Sequence, residues 1–237
     1  MKIKKIGIIG QGKFGTLLKE ILPSVFPSAE IISCGREAIS DVRNCDLVIP
    51  AVPTESFAEV IGIISPLLKR HSIVMDVCSV KSYPVSVMKK ELPVDISIIA
   101  THPMFGPGTM AKLRCSIQGL RIVMENITAS SEEYLVIKQA LQTAGFEIIE
   151  MSAEDHDRHA AEFHFTAHII AALVKKIRLT RSSIDTKSVE SLFDFVEMVQ
   201  SDEQLLMEMY TYNPFCKKQL RKMNTAYQSI STLLQQS

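Results

Sequence analysis

Short apolar runs recur along the first 150 residues of the chain, at residues 5–9, 30–33, 47–51, 72–76, 96–100, 121–124 and 147–150. Between them lie stretches whose apolar positions repeat every three to four residues, near 14–22, 55–68, 84–90 and 131–144. The first pattern predicts strands and the second amphipathic helices. Runs such as Leu47-Val48-Ile49 lack polar alternation, as expected of strands covered on both faces. Ser131-Glu132-Glu133 supplies the acidic first turn of a helix, and Gly145 its C-terminal stop. Strands alternating with helices predict an α/β domain built on a parallel sheet.

From Ser152 the texture changes. Residues 153–177 read as one long helix with no Pro or Gly, and helical segments follow at about 189–212 and 214–234. No strand pattern remains. The expected organisation is therefore a sheet domain over 1–150 and a smaller all-helical domain over 151–237. Phe163, Ile169, Ile170, Leu173 and Val174 are more apolar surface than so few remaining residues can cover. A homodimer through the helical domain is expected.

Composition narrows the function classes. Lys+Arg and Asp+Glu both number 26, so the formal net charge is zero. That leaves no electrostatic case for nucleic acid or an anionic membrane as partner. No run approaches the ~18 apolar residues of a membrane span. The apolar stretch after Met1-Lys2-Ile3-Lys4-Lys5 is too short for a signal peptide and ends in glycines. The five cysteines, Cys34, Cys45, Cys78, Cys115 and Cys216, form no C-x-x-C pair. They read as reduced thiols of a cytoplasmic protein.

The strongest short motif is Gly10-Gln11-Gly12-Lys13-Phe14-Gly15, a G-x-G-x-x-G between an apolar strand and a helix. That context marks a dinucleotide-binding loop and a Rossmann-type domain. Gly10 permits the tight turn, Gly12 lets backbone approach a pyrophosphate, and Gly15 lets helix and strand pack closely. The helix N-terminus offers N–H groups to the phosphates. An NAD site usually places a carboxylate at the C-terminal end of the second strand. Glu30 sits at the opposite end, and the expected position reads Ser33-Cys34-Gly35-Arg36. With Ser33 and Arg36 there, a 2′-phosphate is accommodated, so NADP is expected over NAD. The alternative is NAD, with Glu37 serving the ribose hydroxyls.

Three further segments carry chemistry. Asp76-Val77-Cys78-Ser79-Val80-Lys81 and Thr101-His102-Pro103-Met104-Phe105-Gly106-Pro107 each follow a strand. In open α/β sheets such strand exits face the ligand crevice. The third is the helical stretch containing His156, Asp157, His159, His164 and His168. At 100° per residue His156, His164 and His168 share about a third of the helix circumference. Histidines four apart can bind zinc. There is no H-E-x-x-H, however, and no nearby cysteine completes a ligand set, so no metal is expected. A polar face turned toward an anionic substrate is the preferred reading, beside that of ordinary surface or core histidines.

Taken together, the glycine loop, Asp76 to Lys81, Thr101 to Pro107 and His156-Asp157-Arg158-His159-Ala160-Ala161 resemble the prephenate/arogenate dehydrogenase family. The likeness is greatest to its plant-like arogenate dehydrogenase branch. A weaker match runs from Asn213 to Leu220. The resemblance implies NAD(P)-dependent oxidative decarboxylation of a cyclohexadienyl substrate, giving 4-hydroxyphenylpyruvate or tyrosine. It implies that His102 takes the ring hydroxyl's proton, with Ser79 holding that hydroxyl or orienting His102. Substrate contacts are expected from Lys81, His156, Asp157, His164 and His168. Asp157 is the candidate for arogenate's ammonium.

Some positions depart from the family pattern. Relatives often follow the His102 motif with an acidic residue, Ser and Gly, where this chain has Gly108-Thr109-Met110. His164 stands where Gln is common. The family's distal Arg has only loose counterparts in Lys217, Lys218 and Arg221. Two rival readings share the glycine loop. One is another NADP-dependent reductase, of hydroxyacids or imines. The other is a non-catalytic NADP-sensing protein, which would be expected to have lost Ser79 or His102.

Overall fold

The computed structural model describes residues 2–112, 116–199 and 203–236. The chain divides into two compact units, one ending at His156 and the other beginning at Asp157.

The first unit carries seven strands in one sheet: β1 (Lys5–Ile9), β2 (Glu30–Cys34), β3 (Leu47–Pro50), β4 (Ile73–Met75), β5 (Ser97–Pro103), β6 (Arg121–Asn126) and β7 (Glu147–Glu150). Their order is β2-β1-β3-β4-β5-β6-β7. Strands β1 to β5 are mutually parallel, β6 runs antiparallel to β5, and β7 is parallel to β6. The expected parallel sheet is found over β1 to β5, with a reversal at β6. The end of β5 lies beside the start of β6, with Pro103 opposite Ile122, as an antiparallel pair requires.

Five helices flank the sheet: α1 (Lys13–Val25), α2 (Thr54–Ile64), α3 (Ser82–Glu91), the short α4 (Pro107–Lys112) and α5 (Ser131–Ala144). Alternate strand residues point to opposite faces. Ile6 and Ile8 of β1 join Leu17, Leu18, Ile21 and Leu22 of α1 and Ile137 and Leu141 of α5 in one core. Ile9, Val48 and Val74 join Phe57 and Ile61 of α2 and Val85 and Met88 of α3 in the other. Both sheet faces are therefore dry, which explains the unbroken apolar runs. Helix α5 begins at a capping box formed by Ser130 and Glu133 and stops at left-handed Gly145. The pattern of apolar positions did not reveal α4 or the 3₁₀ helix Arg36–Asn44.

Helix α6 (Ala153–His159) leads into a π-helical turn, Ala160–Phe165, and on into α7 (Thr166–Lys176). The expected uninterrupted α-helix over 153–177 thus contains a wider turn. The second unit continues with α8 (Lys187–Val199), α9 (Glu203–Tyr212) and α10 (Cys216–Gln235), and none of its described residues is in a strand. One small core gathers Ala161, Phe165, Met209 and Cys216, and another Ala171, Val174 and Val196. Asn213 is buried and ties the unit together: its side-chain amide donates to the Asp157 carbonyl at 2.8 Å and accepts from the Phe215 N–H at 2.9 Å.

Candidate active site

The strand order places the topological switch point between β1 and β3, where chain connections leave in opposite directions. The glycine loop opens there. Gly10 has φ +116°, and a β-carbon on it would lie 2.2 Å from the Ala51 carbonyl oxygen at the end of β3. A β-carbon on Gly15 would lie 2.0 Å from the Gly10 carbonyl oxygen. Both glycines are required by the protein's own packing. Gly12 differs, because a β-carbon there meets no protein atom within 4 Å. Gly12 also precedes α1 without any side-chain cap on the first helical N–H groups. Open space over a glycine beside uncapped helix N–H groups fits a pyrophosphate. Gln11 and Lys13 are exposed on this loop, while Phe14 is half-buried with its ring 6.4 Å from that of Phe105.

These contacts separate two substitutions. Gly15→Ala forces backbone apart and is expected to destabilise the fold by about 1–3 kcal/mol or more. Gly12→Ala keeps an ordinary extended φ of −69° and ψ of −179°. It should leave the melting temperature nearly unchanged yet weaken dinucleotide binding roughly tenfold, about 1.4 kcal/mol. Thermal scans and cofactor titration of both variants check this, and an unchanged affinity in Gly12→Ala would refute the assignment of the loop.

At the end of β2, Glu30 is engaged by Lys5 at 3.0 Å, at the edge remote from the loop. Ser33 and buried Cys34 lie at the near end, and the Gly10 N–H donates to the Cys34 carbonyl at 3.0 Å. Gly35 sits next to the Gln11 side chain. No carboxylate occurs there before Glu37. The Arg36 side chain lies outside the described part of the structure.

Beyond β4 and β5 the polar residues form one construction. The buried Asp76 carboxylate accepts from the Thr101 N–H at 3.1 Å and the Cys78 N–H at 3.0 Å. It also pairs with the Lys81 ammonium, which donates in addition to the Thr101 carbonyl. The Thr101 hydroxyl donates to the Asp76 carbonyl. These bonds clamp the exit of β4 to the residue before His102. Lys81, expected among the substrate contacts, is 2% exposed and serves this clamp instead. Burying the Lys81 ammonium costs solvation, which its bonds to the Asp76 carboxylate and the Thr101 carbonyl offset.

His102 and Pro103 are the last residues of β5, and Phe105 anchors the turn that follows. The Phe105 ring stacks on Phe146 with centroids 5.6 Å apart. The Met104 N–H donates to the Arg121 carbonyl at 2.9 Å. His102 Nδ1 lies 2.8 Å from His156 Nε2, with the two rings edge to face at 71°. Sequence reasoning placed both histidines in the site without pairing them. No one-dimensional signal joins residues 54 apart. His156 is held from below. The Ala153 N–H donates to the Glu125 carboxylate at 2.6 Å, and the Ser152 hydroxyl caps α6 through the Asp155 N–H at 3.1 Å. Ser79 is half-buried on the loop between β4 and α3.

The remaining expected site residues belong to the second unit. Asp157, expected near a substrate ammonium, is fully buried. Burial, with the Asp157 charge added to it, pushes the Cys216 thiol up to about 12. A carboxylate so enclosed is not displayed to a ligand. His164 is exposed and His168 half-buried. The π-helical turn at Ala160–Phe165 interrupts the uniform 100° stepping on which that expected stripe was counted. Among the described residues, no group of three or more His, Cys, Asp or Glu is placed to hold a metal ion.

Comparison with known proteins agrees with this geometry. Residues 27–149 match the model of the prephenate dehydrogenase nucleotide-binding domain. Residues 173–237 match that of the TYRAAT1-like C-terminal domain. The chain is 30% identical to arogenate dehydrogenase 2, chloroplastic, of Arabidopsis thaliana, over 95% of this chain and 68% of that protein. It is 30% identical to arogenate dehydrogenase 1, chloroplastic, of the same plant, over 97% of this chain but 39% of that longer protein. Among solved structures, prephenate dehydrogenase from A. aeolicus, in complex with hydroxyphenyl propionate and NAD+, superposes with a TM-score of 0.77 at 18% identity. That match covers 100% of this chain and 92% of the other, and it shows a shared fold. With its nucleotide-binding domain matched over half its length and a relative at 30% identity over nearly all of it, the chain belongs to the prephenate/arogenate dehydrogenase family.

Proposed function

We propose that this protein oxidatively decarboxylates a cyclohexadienyl substrate, prephenate or arogenate, with NADP as the preferred dinucleotide. The observation that carries the reading is His102 at the exit of β5, clamped through Thr101 and paired with His156, on the same sheet edge as the glycine loop. A bound nicotinamide supplies the hydride acceptor. The substrate's ring hydroxyl gives its proton to His102 as the hydride leaves the same carbon. The ring carboxylate departs as CO₂, its bonding electrons complete the aromatic ring, and the phenolic oxygen regains the proton from His102. Aromatisation provides most of the driving force, so the protein needs orientation and one well-placed base. Ser79, on the neighbouring strand exit, is assigned to the same hydroxyl.

The preference for NADP rests on the β2 end, which carries Ser33 and Arg36 and no carboxylate before Glu37. A fission-yeast relative, 26% identical over 69% of this chain, is named as a probable NADP(+) prephenate dehydrogenase. With Asp157 enclosed, arogenate is favoured over prephenate by the plant relatives' names alone. Within the second unit, His168 and the exposed Lys217, Lys218 and Arg221 are the assigned contacts for a substrate carboxylate. The hydroxyacid and imine reductase readings account for the glycine loop but not for the His102 turn.

The deciding assay follows reduced dinucleotide formation with each substrate against NADP and NAD. Turnover of prephenate or arogenate, with the lower KM for NADP, is the expected result. Absence of turnover with either substrate, cofactor binding being intact, would overturn the reading. An equal or lower KM for NAD would remove the cofactor preference.

We also assign the second unit a role in homodimerisation. Phe163 is 61% exposed, and Ile170, Leu173 and Ile177 are exposed on the same run of helix. Light scattering should give about twice the chain mass, and a monomer would contradict the assignment. No helix among the described residues is long and apolar enough to cross a membrane. Cys34, Cys45, Cys78 and Cys216 are free thiols, which fits a reducing compartment.

A further inference from the structure

We propose that His156 is a positioning residue that holds His102 in the one neutral tautomer able to accept a proton at Nε2. The inference rests on the reading of His102 as the base. It differs from the expectation that His156 contacts the substrate, because its Nε2 is already directed at His102 Nδ1 across 2.8 Å.

Two ring nitrogens at that distance share a single hydrogen. If His156 donates from Nε2, then His102 Nδ1 is the acceptor and the His102 proton resides on Nε2. The base then points an N–H at the substrate hydroxyl and cannot take its proton there. If His102 donates from Nδ1, its Nε2 keeps a bare lone pair, and His156 carries its own proton on Nδ1. Only the second arrangement serves the chemistry. The hydrogen bond made by one imidazole nitrogen sets the state of the other. In the step itself the substrate O–H bond breaks and its proton binds His102 Nε2. The Nδ1–H bond to His156 then becomes charge-assisted and stronger, stabilising the imidazolium as it forms.

The surroundings make His156 suited to this role. It is 3% exposed, so water does not compete for its ring. Its backbone N–H donates to the Ser152 carbonyl at 2.8 Å, and the start of α6 is fixed to Glu125 of β6. These bonds fix the backbone from which the His156 ring projects toward His102. The Thr101 clamp fixes His102 from the other side. Both partners are thereby held by separate elements within the first unit.

The test uses the full chain labelled with ¹⁵N at histidine, at a pH of about 8 where free imidazole is neutral. Ring ¹⁵N–¹H correlation should show His102 protonated at Nδ1. In His156→Ala that preference should be lost, kcat should fall at least about tenfold, and the cofactor Kd and substrate KM should stay within about twofold. His156→Gln places an amide oxygen near the former Nε2 and should restore the Nδ1–H tautomer and most of kcat. An Nε2–H tautomer of His102 in the parent protein overturns the proposal whether or not any variant folds. So does His156→Ala with unchanged kcat, or with raised KM and unchanged kcat, which would make His156 a substrate contact. If the parent turns over neither prephenate nor arogenate, the assigned reaction fails, while the tautomer spectrum still judges the pair on its own.

Discussion

His102→Ala is expected to lose about 10²- to 10⁴-fold in kcat, the contribution typical of a positioned general base. That corresponds to roughly 3–5 kcal/mol of barrier. Dinucleotide affinity should not change, since the glycine loop lies at the ends of β1 and β3 and His102 at the end of β5. The fold should also survive, because His102 is only part-buried, while the residues that anchor its turn, Phe105 and Thr101, are retained. Steady-state kinetics beside a fluorescence titration with NADPH separates the two effects. Turnover within a few-fold of the parent would refute the base, and a lost cofactor signal would show that the substitution had damaged more than the chemistry.

The second large effect concerns stability. Lys81→Met removes the ammonium between the Asp76 carboxylate and the Thr101 carbonyl, all buried. Deleting one partner of a buried ion pair leaves an uncompensated charge and costs about 3–5 kcal/mol. That is a large fraction of an ordinary domain's 5–15 kcal/mol. Unfolding in urea should show a markedly lower midpoint. Whatever protein stays folded should also turn over more slowly, because the clamp sets where His102 emerges from β5. The double variant Lys81→Met with Asp76→Leu should recover part of the stability, since it buries no lone charge. A Lys81→Met midpoint equal to the parent's would mean that the pair contributes nothing to the fold. Full stability with normal KM but low kcat would instead return Lys81 to the chemistry.

Much of this molecule could be read along the chain. Strands β1 and β7 coincide with the apolar runs at residues 5–9 and 147–150, and α5 with the stretch at 131–144. These elements are specified locally, by apolar runs buried on both sheet faces, by the cap at Ser130 and by Gly145. The glycine loop was legible for the same reason: Gly15 is demanded by contact within the loop and Gly10 by the neighbouring strand exit, while Gly12 leaves open space. Glu30 was correctly placed at the far end of β2, since its position follows from strand direction alone.

Other features follow from pairings that no local pattern encodes. The reversal at β6 depends on which strand the chain meets after the turn at Phe105, not on the apolar content of Arg121–Asn126. The π-helical turn at Ala160–Phe165 has no signature in a 3.6-residue period, so the angular spacing from His156 to His168 could not be counted along the chain. Lys81 and Asp157 look like site residues because their charges are visible in the sequence, whereas their burial is not. The sequence by itself determined the dinucleotide loop, the strand-and-helix alternation and the identity of the candidate base, because each rests on neighbours in the chain or on residue chemistry. Only the tertiary structure decided that Asp76, Lys81 and Thr101 form a clamp and that His102 meets His156. Those contacts join strand exits and a helix start from 5 to 54 residues apart, and burial there is what gives each polar group its role.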